Sequence, residues 1–252
     1  MKTITEFIQQ LAFPETSRVN DKVFKRLFYE HGQLTSADKK LFAEDVDDIT
    51  CLYMLTPKTI AINAFHDDDR VYDEIAVLLV KLRKQNSAPR IASLIQRTIP
   101  YPVILLISYQ EQLMLQLADK RINKADSSKL VIADSISSDW LNLNEPAIYS
   151  QAFINTFSIK QLRYSHLYHF YQDWMQALLN LNSAKYVNKN LQDQLGDYVL
   201  QRQTLEQIET TQSSINELRK KIKAANQLNE QTRLNIQIKS LQNTLEELKT
   251  QL

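Results

Sequence analysis

The chain has 252 residues, 44% of them hydrophobic, with 30 Lys and Arg against 29 Asp and Glu. That length suits one large domain or two smaller ones, and the near-zero net charge makes no global case for nucleic acid or an anionic membrane as partner. A single cysteine, Cys51, and two glycines, Gly32 and Gly196, exclude a disulfide within the chain, a multi-cysteine metal site, a GxxxxGK[ST] phosphate loop, a GxGxxG dinucleotide turn and a GxSxG nucleophile elbow.

In chain order, residues 3–31 read as helical. Ile4, Phe7, Ile8 and Leu11 share a face, Phe13-Pro14 interrupts, and Val23, Phe24, Leu27 and Phe28 resume before His31-Gly32 closes the segment. Ser36 is placed to cap a third helix through Leu41 and Phe42. Residues 49–55 and 58–64, split by Thr56-Pro57, have strand length and suit a hairpin, and residues 66–70 read as a polar loop. Residues 74–82 are apolar on both faces, which predicts a central strand. Ser87 opens a helix to Thr98 with Pro89 in its first turn, and Val103 begins a second buried strand after Pro100-Tyr101-Pro102. Strand, helix, strand at this spacing predicts a parallel crossover unit. Leu113, Leu115 and Leu117 alternate as an antiparallel return, residues 130–136 add a strand, residues 137–157 look linker-like, and residues 158–181 read as a helix.

The tail is heptad-like. Ile215, Leu218, Ile222 and Ala225 form one apolar register, and Leu234, Ile238, Leu241, Leu245, Leu248 and Leu252 form another, two residues out of step. Either the chain turns near residues 226–231 into an antiparallel hairpin, or one long helix rotates its apolar face. An isolated helix with a single stripe is marginal in water, so the stripe needs a partner: another helix of this chain, a second copy, or a different protein. The expected fold class is therefore α+β: a mixed-sheet body over residues 1–150, then an all-helical arm over 151–252 with a coiled-coil or hairpin end at about 185–252. The partner-binding candidates are Leu218, Ile222, Leu234, Ile238, Leu241, Leu245 and Leu248.

Several groups invite chemistry. Asp67, Asp68, Asp69, Asp73 and Glu74 with Lys81 suggest a divergent metal-dependent nuclease, but the strand lacks the Glu-x-Lys that such a site wants, so a solvated acidic turn is the plainer reading. His166, His169 and Asp173 share helical spacing suited to a metal but lack a further ligand. Tyr164, Tyr168 and Tyr171 suit base stacking or burial. Arg219, Lys220, Lys221 and Lys223 form a basic patch suited to phosphates or to a solvated helix face, and Lys120-Arg121-x-x-Lys124 has the same ambiguity. No catalytic residue, metal or cofactor is assigned. The N-terminus lacks the apolar core of a signal peptide and no apolar run reaches bilayer length, so a soluble, cytoplasmic protein is expected.

The ordered set Phe13-Pro14, Glu74-Ile75, Ile99-Pro100-Tyr101-Pro102, Lys120, Asp139-Trp140-Leu141 and Asn235 resembles the bacterial domain-of-unknown-function family catalogued as four-three-nine-one, over nearly the whole chain. That resemblance implies a protein encoded beside helicases and DNA methyltransferases of restriction or phage-defence type. The function it suggests is a non-catalytic assembly subunit that associates through the arm. The alternatives are a divergent nuclease and a DNA-binding accessory protein.

Overall fold

A computed structural model describes residues 2–187, 197–225 and 227–252. The described residues form two compact units, Met1–Leu178 and Leu179–Leu252.

The first unit is organised on the run that is apolar on both faces. Ile75–Leu82 becomes β5, with only Lys81 exposed. Its neighbours are β2 (Val46–Leu55), antiparallel, and β6 (Val103–Tyr109), parallel, the latter reached through α5 (Ala88–Thr98) as the spacing predicts. β7 (Gln112–Asn123) returns antiparallel to β6 and pairs onward with β8 (Asp126–Ser137) and, at its start, with β9 (Leu141–Asn142). The far edge is β1 (Arg18–Lys22) on β2, giving the order β1-β2-β5-β6-β7-β8. β1 replaces part of the helix expected over residues 3–31. All five of its side chains are exposed and Asn20 sits at φ 56°, so this bulged polar edge strand carries no apolar pattern to read.

Helices cover both sheet faces. On one, α2 (Lys25–His31) and α3 (Ser36–Asp45) contribute Phe28 and Phe42, and α5 contributes Ile91, Ala92, Leu94 and Ile95, over Leu78, Val80, Leu105 and Ile107. The cap of α3 is Thr35, one residue before Ser36, in a capping box with Asp38. At the C-terminus of α2, a Cβ on Gly32 would lie 2.5 Å from the Phe28 carbonyl and 2.7 Å from Thr98 Oγ1, so glycine lets α2 end against α5. The other face is covered by α1 (Ile4–Gln10), α6 (Ile148–Thr156) and the first half of α7 (Leu167–Val187). Their rings form a chain, Phe7–Phe153, Phe153–Phe157, Phe157–Trp174 and Trp174–Phe13.

Residues 58–64 are not a strand. Pro57 starts a one-turn helix, α4 (Pro57–Ile60), a position where its fixed φ and missing N–H suit a helix N-terminus, and Ala61 ends it in the left-handed region. The partners of β2 are thus β1 and β5. The polar loop at 66–70 closes a small ribbon of β3 (Phe65–His66) and β4 (Val71–Tyr72). The stretch 137–157 contains β9 and α6, and the helix expected from 158 begins at Leu167. The unit boundary accordingly falls at Leu178 and not at residue 150, because Phe153, Phe157, Phe170, Tyr171 and Trp174 are buried in the first unit's core.

The second unit contains the end of α7, α8 (Tyr198–Ala224) and α9 (Leu228–Lys249). Buried Gln201 donates to Asn180 Oδ1 at 3.0 Å and Ser183 Oγ at 3.1 Å, tying α8 to the end of α7. Ala225 and Gln227 are extended, which reverses the chain without glycine or proline; Asn226, in the turn expected there, lies outside the described residues, as does Gly196.

Candidate functional site

The two apolar registers of the tail meet each other. Ile208, Ile215, Ile238, Leu245 and Leu248 are buried together, and Leu218, Ile222, Leu241 and Leu252 pack against them. α8 and α9 are therefore a hairpin, and the phase mismatch is the break between two helices. Leu234 is half-buried. Of the positions expected to bind a partner, Leu218, Ile222, Ile238, Leu241, Leu245 and Leu248 pack together in this seam within the chain.

The outward surface of the hairpin is different in character. Arg219, Lys220, Lys221 and Lys223 are exposed near the C-terminus of α8, where cations complement the helix dipole, and they form no ion pair among the described residues. Leu228, which opens α9, is 75% exposed.

The acidic run is a structured turn. Asp67 Oδ1 accepts from the backbone N–H of Asp69 at 2.8 Å and Arg70 at 2.6 Å, and the Asp69 carbonyl accepts from the Ile122 N–H at 2.7 Å, fastening the ribbon to β7. Asp73 pairs with His66 at 2.6 Å in solvent. Asp68 is exposed and Glu74 is half-buried. Glu74 precedes β5 and Lys81 lies near its other end, so at about 3.3 Å per residue they stand roughly 23 Å apart. The structure does not bring the nuclease candidates Asp73, Glu74 and Lys81 together. Among the described residues, no three His, Cys, Asp or Glu side chains are placed to hold a metal ion.

His166 and His169 stack on each other with centroids 3.8 Å apart, and His166 stacks on Phe65 at 4.5 Å. Burial, His169 and Arg163 hold the His166 pKa below its ordinary value. Asp173 is engaged by Arg163, whose Nη2 donates at 2.6 Å, and is not a ligand partner of the histidines. The three tyrosines divide. Tyr164 is 43% exposed and its hydroxyl donates to the Ile159 carbonyl, while Tyr168 packs between Phe65 and Tyr72 under the Arg70 guanidinium. Tyr171 is fully buried: its hydroxyl accepts from the Ala118 N–H at 2.8 Å and can donate to the Val103 carbonyl at 2.9 Å. Burial pushes the Tyr171 pKa far up.

Two neighbours on β7 carry features that residue type alone did not reveal. Asp119, buried on the α7 side, accepts from Arg70 Nη2 at 2.8 Å and from the Tyr72 hydroxyl at 2.7 Å. The Asp119 hydrogen bond raises the Arg70 pKa, and burial raises that of Tyr72. Lys120 points to the α5 side and is 2% exposed, whereas the sequence placed it in a surface basic turn. Its Nζ donates to the carbonyls of Ile99 at 2.8 Å and Tyr101 at 2.6 Å, and burial pulls its pKa down to about 7. A lone Lys in an alternating strand does not announce burial, because lysines are almost never fully buried without a counter-charge. Arg121 and Lys124, its companions in that turn, stay nearer the surface.

Among the described residues, no helix is long and apolar enough to cross a membrane. No curated protein and no solved structure matches the chain. The sequence model of one family, described as Domain of unknown function (DUF4391), matches residues 11–245. That span takes in the whole sheet and nearly all of the hairpin, and the chain belongs to this family.

Proposed function

We propose that the protein is a non-catalytic assembly subunit, an α+β body that uses its helical hairpin to dock onto a partner, in a bacterial complex of restriction or phage-defence type containing a helicase or methyltransferase. The observation that carries this reading is the hairpin itself. Because α8 and α9 satisfy each other's apolar stripes, the arm is folded before any partner arrives, and docking spends little ordering entropy. Its outer face is then free for recognition. Exposed Leu228, close in sequence to Arg219, Lys220, Lys221 and Lys223, supplies an apolar anchor with a basic rim. The nuclease alternative gains nothing from the separation of Glu74 and Lys81 along β5.

The test is purification of the tagged full-length protein from its own host, alongside a variant carrying Leu228→Asp and Glu at Arg219, Lys220, Lys221 and Lys223. A protein that co-elutes with the wild type and is lost from the variant supports the reading. A wild-type protein that elutes alone, at the mass of one chain, sinks it. The exposed basic cluster also favours a second reading, direct DNA contact. Four phosphate contacts would make log K fall against log salt with a slope of about −3.6 on duplex DNA, and neutralising the cluster would flatten it.

A further inference from the structure

A cavity of about 530 Å³ opens beside the end of α5, between α2 and β8. Its apolar wall is Ile99, Pro100, Val131 and Ile132, and its polar groups include His31, Gln96, Arg97 and Lys120. The volume lies within the range of sites that hold a small molecule. Among the described residues that line it, none is Asp or Glu. Lys129 on the same rim already pairs with Asp126 at 2.7 Å, while Arg97 is exposed and forms no ion pair among the described residues.

One buried group on this cavity, Lys120, has unused bonding capacity. The Lys120 amine lies beyond the C-terminus of α5, and its bonds to the Ile99 and Tyr101 carbonyls are a helix-terminal cap. Capping accounts for two donors of an ammonium that has three, and it supplies no counter-charge. Gln96 is 1% exposed, and its Nε2 is fixed by donating to the Val103 carbonyl and to Gln116 Oε1, each at 2.9 Å. That orientation leaves Gln96 Oε1 buried with no partner. Sealed from solvent, that oxygen does not face the cavity. A ligand that meets the need of Lys120 has an anionic group for its ammonium.

We propose that this cavity is a binding site for a small organic anion, with its carboxylate or phosphate between Lys120 and Arg97. Its apolar part lies against Ile99, Pro100, Val131 and Ile132. This is a site on the body and is independent of what the hairpin docks to.

Isothermal titration of the full chain with citrate, tricarballylate, inorganic pyrophosphate and AMP, at low salt and pH 6.5, tests it. Citrate and tricarballylate carry three carboxylates each. Citrate and AMP separate a carboxylate source from a phosphate source. At least one of these probes should bind with Kd below about 1 mM, and Lys120→Met should weaken it by about tenfold or more. Arg97→Glu, an exposed change that leaves the fold in place, should also abolish binding, and it decides the matter if Lys120→Met does not fold. The proposal is overturned if none of these probes binds the wild type more tightly than about 1 mM, or if binding is unchanged in Arg97→Glu and in folded Lys120→Met.

Discussion

Replacing Lys120 with Met should change how the stability of the first unit depends on pH. The amine is 2% exposed, touches only carbonyl oxygens, and is held by burial at a pKa of about 7. In the unfolded chain a lysine titrates near 10.4. Between those values the unfolded state binds more protons than the folded one, so this group makes stability rise with pH. Below about pH 7 both states are protonated, and the cost of burying the charge is present in full and constant. Each pH unit inside the window is worth about 1.36 kcal/mol, so between pH 6 and pH 9 Lys120 adds about 2.7 kcal/mol that Met cannot add. Groups that titrate the other way, such as Cys51 with its pKa raised by burial, are common to both proteins and cancel in the comparison. Urea unfolding followed by tryptophan fluorescence reads the right unit, since Trp140 and Trp174 both lie in it. The stability of Lys120→Met relative to wild type should be greatest at pH 6 and fall steadily to pH 9. Parallel profiles would show that Lys120 is hydrated at its ordinary pKa, and the buried-amine reasoning would fail.

Leu241→Asp with Leu245→Asp should leave the mass by light scattering unchanged while helicity falls, because each leucine buried in the intrachain seam is worth about 1.5–3 kcal/mol; a fall in mass would mean the seam joins two chains. Asp119→Ala should destabilise the first unit by about 3–5 kcal/mol in the same urea assay, since it strands Arg70 and the Tyr72 hydroxyl, and a loss below about 1 kcal/mol would show that the network is hydrated. A chain ending at Lys185 should unfold cooperatively, and one ending at Ile148 should not, because the shorter chain lacks Phe153, Phe157, Phe170, Tyr171 and Trp174; equal cooperativity would return the boundary to residue 150.

By itself the sequence determined the elements whose burial is periodic. The all-apolar 75–82 run has no solvent face and so is central, the Pro89 helix between two such runs makes a parallel crossover, and alternating Leu113, Leu115 and Leu117 make the return strand. It also located both seams of the arm, but two out-of-phase stripes do not say whether they meet within one chain or between chains. Tertiary structure decided what local pattern cannot encode. β1 is held by backbone hydrogen bonds to β2, so its exposed side chains carry no signal. Glu74 and Lys81 are near in sequence and far apart in space because an extended strand separates them. Asp119 and Lys120 are adjacent letters sent to opposite faces by the pleat, one to a guanidinium 49 residues upstream and the other to the end of a helix and a cavity. The site proposed there depends on three long-range facts: where α5 ends, which face Lys120 takes, and that α2 and β8 close the cavity beside them. None of these is a property of any single segment, since each arises from the packing of one element against another.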